Sequence, residues 1–163
     1  MEARALEIRN TVKAICRNRR GEILIQKKIY EDGRELYTLP GGGQQPGESL
    51  LQALERECWE EIGALVTARD LEYVCEFIKK PTSPGKLPRH KVEFGFRCDL
   101  PEDYIPQMGP QPDSHQEAIL WLSLEKLANL ELSPEKLLAC LKNAEAPLPV
   151  SAFSSLLEQD LIP

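Results

Sequence analysis

A glycine cluster that leads into a strongly signalled helix, between Gly41 and Ala64, constrains the fold of this chain more than any other segment. Ser49 and Gln52 have the spacing of a capping box, in which each side chain bonds the backbone N–H group of the other residue. Gly63 stands where a left-handed residue ends a helix. The spacing therefore predicts a helix from Leu50 to Ile62 that follows directly on a glycine-rich turn.

The predicted helix has two distinct faces. At about 100° per residue, its apolar residues form a narrow buried stripe, which consists of Leu51, Leu54, Cys58 and Ile62. Glu57, Glu60 and Glu61 lie together on a separate arc roughly 100° wide. In our interpretation, no Lys or Arg at i+4 relieves the repulsion between these carboxylates. We expect them on the exposed edge of the helix.

Three carboxylates on one helix edge have two interpretations. A solvated face is the ordinary role of a charged run on a helix. Hard divalent cations such as Mg²⁺ take oxygen ligands, however, and often bridge one or two carboxylates to a substrate phosphate. The unrelieved repulsion and the preceding glycine cluster favour the metal-binding interpretation.

Length and composition are those of an ordinary globular chain. Its 163 residues are 42% hydrophobic and 28% charged, which predicts a single domain over residues 1–163. The five cysteines are scattered without C-x-x-C spacing, so we interpret them as core residues in a reducing compartment. No apolar run approaches the roughly 20 residues of a membrane span, and the N-terminus lacks the layout of a signal peptide. These features predict a cytoplasmic protein with no membrane partner.

The net charge narrows the class of partner. A net charge of −6 argues against broad adhesion to nucleic acid, which depends on basic patches. A small phosphate-bearing molecule can still bind if a cation bridges it to the acidic protein. A homodimer is left open.

Strand-like runs surround the helix on both sides in the sequence. Residues 11–16 and 22–28 are predicted strands joined as a hairpin through Gly21, and a short third strand ends at Pro40. The later predicted elements are strands at 71–79, 90–98 and 117–122, a helical segment at 123–130, a helix capped by Ser133 with Pro134 in its first turn, and a C-terminal helix within 151–162. Two long loops, 81–89 and 101–116, flank the strand at 90–98 and are expected to reach over the same sheet edge.

The glycine and glutamate spacing has the form of a known motif. The segment resembles the Nudix box, G-x5-E-x7-R-E-U-x-E-E-x-G-U with U apolar, and all seven invariant positions match. These are Gly42, Glu48, Arg56, Glu57, Glu60, Glu61 and Gly63. Cys58 and Ala64 are smaller than the side chains usual at the U positions, a departure that affects packing rather than ligands.

The resemblance implies a fold and a reaction. The fold is an α/β/α sandwich around a mixed β-sheet, and the reaction is hydrolysis of a nucleoside diphosphate linked to another group. It implies Mg²⁺ or Mn²⁺, which would neutralise the phosphates, activate a bound water and align an in-line displacement. Arg56 is implied to orient a glutamate by ion pairing, and Glu48 to support the loop.

The resemblance also implies a set of metal ligands. Glu57 and Glu61 are the firmest of them, and Glu60 is a further ligand or a water-mediated contact. The carbonyl oxygen of Gly41 is expected to complete the shell. The general base comes from the box or from a later loop, where Asp113 and Glu117 are the candidates beside the alternative that both are solvated.

Residues outside the box are expected to choose the substrate. Lys86 and Arg89, with Lys91, form a positive cluster that could meet a distal phosphate or ribose, and Glu93 faces either the substrate cleft or solvent. Pro81 lies slightly beyond the position where ADP-ribose hydrolases of this family tend to carry a proline, which favours ADP-ribose or a related nucleotide sugar. Nucleoside triphosphates, dinucleoside polyphosphates, capped RNA and a non-catalytic nucleotide-sensing module are the alternatives.

Overall fold

The computed structural model describes residues 6–81, 83–142 and 148–150. These residues form β1 (Ile8–Ile15), β2 (Ile23–Ile29), β3 (Glu35–Thr38), β4 (Gly41–Gly43), α1 (Leu50–Ile62), β5 (Thr67–Lys79), β6 (Arg89–Asp99), β7 (Gln116–Leu122), α2 (Leu124–Leu127), α3 (Leu137–Lys142) and β8 (Leu148–Pro149). The helix predicted within 151–162 lies outside the described residues. Over the described ranges, none of the helices is long and apolar enough to cross a membrane.

The strands form two sheets. The larger has the order β4-β1-β6-β5-β8, and the smaller has the order β3-β2-β7. In the larger sheet β1 runs parallel to β6, with Thr11 opposite Glu93, while the other neighbours are antiparallel. The larger sheet is therefore mixed, and the mixed α/β fold predicted from the sequence is confirmed.

The predicted hairpin between the first two strands is present but short. Gly21 forms its turn, with a φ of +75° that favours glycine. An antiparallel bridge between Arg17 and Ile23 joins the two arms, with backbone hydrogen bonds from Asn18 to Glu22 and from Leu24 to Cys16. β1 belongs to the larger sheet and β2 to the smaller one, because the two strands pair with different neighbours. Apolar side chains of both strands pack into the same two cores.

The protein has two apolar cores, one packed against α1 and the other against α2 and α3. Val12 and Ala14 of β1 belong to the core beneath α1, whereas Ile15 belongs to the core covered by α2 and α3. Since alternate residues of a strand point to opposite faces, one strand supplies both cores. The helices consequently lie on both sides of the strands.

The helix of the opening segment is confirmed residue by residue. α1 runs from Leu50 to Ile62, Ser49 and Gln52 form the capping box, and Gly63 adopts the left-handed conformation with a φ of +64°. The helix after Pro134 begins later than expected, at Leu137, because the N–H group of Leu137 donates to the Pro134 carbonyl in a separate turn first.

Candidate active site

Strand β4, which the sequence did not predict, places the glycine cluster against β1. Gly41 has a φ of +133°, and a Cβ atom there would lie 2.0 Å from the carbonyl oxygen of Val12. Only glycine fits this backbone and this contact. Its N–H group donates to Glu61 Oε2 at 2.8 Å, and its carbonyl oxygen accepts from Lys13 Nζ at 3.1 Å. Gly41 thus connects a buried carboxylate to a buried ammonium group.

Glu61 is buried, so the expectation that it lies on an exposed edge is wrong. The residue is only 4% exposed, because α1 packs directly on β4. Burial raises the pKa of the Glu61 carboxyl, while the positive charge of Lys13 and the hydrogen bond from Gly41 oppose that rise. Lys13 also donates to the carbonyl oxygen of Leu39 at 3.1 Å. The loop before α1 is therefore held by Glu61 through the Gly41 N–H group and by Lys13 through the carbonyl oxygens of Leu39 and Gly41.

Arg56 relieves the repulsion that the sequence analysis treated as unrelieved. Its guanidinium donates to Glu48, to Glu57 Oε1 at 2.9 Å and to Glu60 Oε2 at 3.3 Å, the last an i,i+4 pair. It also donates to the Gly43 carbonyl at 3.0 Å. The hydrogen bond from Arg56 lowers the pKa of the Glu48 carboxyl. One arginine thereby orients two of the helix carboxylates and ties them to the glycine strand.

Gly42 and Glu57 are in close contact. A Cβ atom on Gly42 would lie 2.5–2.6 Å from the carboxyl atoms of Glu57, whereas one on Gly43 would meet nothing within 4 Å. The glycine therefore leaves room for the Glu57 carboxylate beside β4.

This contact predicts the effect of a single methyl group. We expect Gly42→Ala to displace the Glu57 carboxylate with little loss of stability, since the obstructing atoms end a flexible side chain. Misplacing a catalytic group by about 1 Å can cost up to a hundredfold, so catalytic turnover should fall about tenfold or more. Gly43→Ala is the matched control and should keep its turnover. Equal turnover of the two variants at equal melting temperature would contradict the role of the Glu57 carboxylate in turnover.

The helix carboxylates share a small cavity with cationic side chains. Glu57, Glu60 and Glu61 line a cavity of about 290 Å³. Five basic side chains from four strands line the same cavity and are called the basic wall: Lys13, Lys28, Lys79, Arg89 and Lys91. A larger cavity of about 790 Å³ adjoins it, with Lys28, Lys79, Arg89 and Asp113 shared by both. The small cavity therefore offers carboxylate oxygens for a cation and basic side chains for an anion.

The structure separates the residues predicted to bind substrate. Arg89 lines both cavities, whereas Lys86 lines only the larger one. Glu93 lines the small cavity but is only 2% exposed, and it accepts hydrogen bonds from the Tyr73 hydroxyl at 2.7 Å and from Thr11 Oγ1 at 3.5 Å. Arg89 and Glu93 therefore share the small cavity with the helix carboxylates, whereas Lys86 does not line it.

The two candidate bases from the later loop differ in position. Asp113 lines both cavities and forms an ion pair with Lys28. Burial, the largest single cause, raises the pKa of Asp113, but the charge and hydrogen bond of Lys28, with smaller contributions from Ser114 and Lys79, together lower the pKa to about 2. Glu117 is exposed and lines neither cavity. Asp113 is thus placed near the site as a weak base, and Glu117 is placed away from it.

Lysines on the sheet give the cavity a pH-dependent effect on stability. Burial, followed by the like charges of Lys13 and Lys79, lowers the pKa of Lys91 to about 7; Lys28 acts the same way and Glu93 opposes the shift. Since an unfolded lysine titrates near 10.5, the unfolded chain binds more protons between about pH 7 and pH 10. The contribution of Lys91 to the free energy of unfolding therefore rises with pH across that range.

Lys91→Met tests this sign. The variant should be more stable than the wild-type protein at pH 6, because it removes a charged group from a partly buried position, and the difference should shrink by pH 9. Urea unfolding of both proteins at pH 6, 7.5 and 9 measures it, and the comparison cancels the titration of the other groups. A difference that stays constant with pH would show that Lys91 is solvated in the folded state.

Sequence reasoning missed three polar residues that strands bury at or beside the site: the cavity residues Lys13 and Lys28, and Gln116, each 7% exposed. Gln116 donates to the backbone carbonyl of Glu61 at 2.7 Å and so holds the end of α1. The available signal was a lysine inside the apolar run "TVKAIC", since a buried strand position that carries a charge is uncommon outside a site.

Comparison with known proteins identifies the family of the chain. The model of the NUDIX domain matches residues 7–140. An RNA pyrophosphohydrolase from Psychrobacter cryohalolentis is 33% identical over 82 residues, which cover 50% of this chain and 46% of that protein. The match thus spans about half the length of this curated relative.

Solved structures agree on the fold. A NUDIX hydrolase from Nitrosomonas europaea superposes with a TM-score of 0.70 at 20% identity, covering 90% of this chain and 95% of that one. A MutT protein from Methanosarcina mazei Go1 superposes with a TM-score of 0.67 at 23% identity, covering 88% and 96%. With a family match that extends over most of its length and a complete box on α1, the chain belongs to the Nudix family.

Proposed function

We propose that the chain is a metal-dependent hydrolase that cleaves a phosphoanhydride bond in a nucleoside diphosphate linked to another group. One observation carries this proposal: the Nudix box carboxylates and the basic wall line the same cavity. A phosphate chain bound there would meet two kinds of cation, a metal ion held by the carboxylates and the basic side chains. Membership of the Nudix family supports the same reaction class.

The residues present fit a divalent metal. Nudix hydrolases generally use one, and Mg²⁺ or Mn²⁺ takes oxygen ligands of the kind that line this cavity. Glu57, Glu60 and Glu61 would hold it, with the carbonyl oxygen of Gly41 as a further donor. Over residues 6–81, 83–142 and 148–150, no three acidic, histidine or cysteine side chains are already grouped as a ligand set. Arg56, which now bonds Glu57 and Glu60, would have to share them.

The metal, when bound, supplies charge neutralisation of the phosphates and activation of a water molecule. The other steps belong to residues of the chain. The Gly41 N–H group fixes the Glu61 carboxylate, Lys13 holds the Gly41 carbonyl, and Arg56 holds Glu57 against β4. Arg89 would bind a phosphate oxygen in the same cavity. Glu93, held by Tyr73, would orient the neighbouring cationic side chains.

The identity of the linked group is a finer proposal. Pro81 lines the larger cavity, which keeps ADP-ribose or a related nucleotide sugar as the substrate that the sequence favours. Its volume of about 790 Å³ suits a nucleotide-sized ligand. Nucleoside triphosphates, dinucleoside polyphosphates and a non-catalytic sensing role are the competing proposals. We place the activity in the cytoplasm, in a single-domain protein that acts on small nucleotides rather than nucleic acid.

A substrate panel tests the proposed function. ADP-ribose, a UDP-sugar, ATP, diadenosine tetraphosphate and a capped dinucleotide would each be incubated with the protein in Mg²⁺, in Mn²⁺ and in EDTA. We expect at least one substrate to yield phosphate or nucleotide products in the presence of metal and none in EDTA. Tight binding of a nucleotide without any turnover would instead support the sensing module.

A further inference from the structure

Two lysines of the basic wall lie close together on one face of the larger sheet. In the β5–β6 register Phe77 lies opposite Lys91, and Lys79 lies opposite Arg89. Lys79 is therefore a diagonal neighbour of Lys91, and such neighbours are roughly 7–8 Å apart. Both line the small cavity beside the carboxylates of α1. That spacing lets two ammonium groups contact oxygens of one phosphate group or of two adjacent ones.

Over residues 6–81, 83–142 and 148–150, neither Lys79 nor Lys91 forms a salt bridge or a side-chain hydrogen bond, whereas Lys28 pairs with Asp113 and Lys13 donates to two carbonyl oxygens. Asp113 attracts Lys79 and Glu93 attracts Lys91 without direct contact, and Glu93 already accepts hydrogen bonds from its neighbours. Both lysines are partly buried, and burial is the first cause of their lowered pKa values, about 8 for Lys79 and about 7 for Lys91. An anionic ligand would supply the direct acceptors that these ammonium groups lack.

The position of the pair indicates which part of a ligand it would meet. Lys79 and Arg89 line both cavities and so stand at their junction, while Lys91 lines only the smaller one. The α1 carboxylates line the small cavity but not the larger one. Phosphates that flank the cleaved bond would lie near the α1 carboxylates, and a further phosphate would extend toward the lysines. A sugar at that point would offer hydroxyl oxygens to the two ammonium groups but no negative charge.

We propose that Lys79 and Lys91, together with Arg89, form a subsite for a third phosphate group. The preferred substrate then carries a chain of three or more phosphates, as nucleoside triphosphates and dinucleoside polyphosphates do, and is not the nucleotide sugar that Pro81 favours. This inference rests on the proposed function for the reaction, but the subsite binds an anion whether or not the reaction occurs.

Equilibrium binding tests the subsite without catalysis. Isothermal titration in EDTA would compare tripolyphosphate with pyrophosphate on the wild-type protein, Lys79→Met, Lys91→Met and the surface control Lys126→Met. We expect tripolyphosphate to bind at least about tenfold tighter to the wild type and to the control, since a charge-assisted contact is worth about a factor of ten or more. The preference should disappear in both cavity variants and return in Lys91→Arg. Equal affinities in the wild-type protein, absence of binding, or an unchanged preference in both variants would overturn the subsite.

Kinetics separates this proposal from the proposed function. With ATP and ADP-ribose in Mg²⁺, Lys79→Met and Lys91→Met should lower kcat/KM for ATP about tenfold or more, mainly through KM, and change it less than about threefold for ADP-ribose. Loss of both activities together, or a wild-type preference for ADP-ribose that the variants leave intact, would overturn the subsite while leaving the hydrolase. A phosphate-length preference in binding with no hydrolysis of any nucleotide would leave the subsite and overturn the hydrolase. Thermal melting confirms that each variant is folded, and Lys91→Gln replaces Lys91→Met if the latter is not.

Discussion

Glu57→Gln is expected to lower the turnover of the preferred substrate at least about a hundredfold, because an amide cannot replace a carboxylate in charge stabilisation at a metal. The side chain is partly buried and bonded to Arg56 at 2.9 Å, and glutamine can keep one of those contacts. The fold should therefore survive, and the loss should lie in kcat rather than in protein yield. Steady-state kinetics in Mg²⁺ measures it.

Glu55→Gln is the matched control for this loss. Glu55 lies on the same helix, is exposed and lines neither cavity. Its replacement removes the same charge and should change turnover less than about twofold. Glu61→Gln should lose as much activity as Glu57→Gln, but it also changes a buried hydrogen bond from Gly41, so its melting temperature must be measured beside its rate. Full turnover in folded Glu57→Gln would remove the carboxylate from the mechanism.

Lys13→Met is expected to cause the largest loss of stability among the substitutions at the site. Lys13 is 7% exposed and donates to the carbonyl oxygens of Leu39 and Gly41, both at 3.1 Å. Methionine fills the same space but leaves two buried acceptors and the Glu61 carboxylate without their cation. We expect a loss of about 3 kcal/mol in the free energy of unfolding and a fall in Tm on the order of 10 °C. Activity should fall as well, since the loop that positions Glu61 loosens.

Lys27→Met provides the comparison on β2, the next strand along the chain. Lys27 pairs with Glu35 at 2.8 Å on the far side of β2 and lines neither cavity. An exposed pair of this kind contributes little to stability, so the variant should melt close to the wild-type protein. If Lys13→Met and Lys27→Met were equally stable, the two carbonyl contacts of Lys13 would not fix the loop.

The sequence predicted the elements whose signals are local. The bounds of α1 follow from Ser49, Gln52 and Gly63, because caps act within one turn of the helix they end. The stripe of Leu54, Cys58 and Ile62 is fully buried, as the helical spacing indicated. Leu51 is only partly buried, since it lies at the rim of the core.

The errors arose where distant residues decide the outcome. Burial of Glu61 depends on β4, a three-glycine strand whose pairing with β1 comes from contacts rather than from β propensity. The Arg56 interactions were misjudged because its guanidinium contacts Glu48, which precedes it in the chain, as well as Glu60, which follows it. The basic wall draws on β1, β2, β5 and β6, so no local window of sequence could bring its lysines together.

Product analysis in ¹⁸O-labelled water tests the central claim most directly. The account predicts that, with Mg²⁺ present, the wild-type protein and Glu55→Gln release phosphorylated products. For each phosphoanhydride bond cleaved, one product carries one solvent oxygen on phosphorus. Glu57→Gln and the EDTA sample should release almost none. The absence of labelled products from every nucleotide tested in the wild-type protein, or equal labelling in folded Glu57→Gln, would contradict the account.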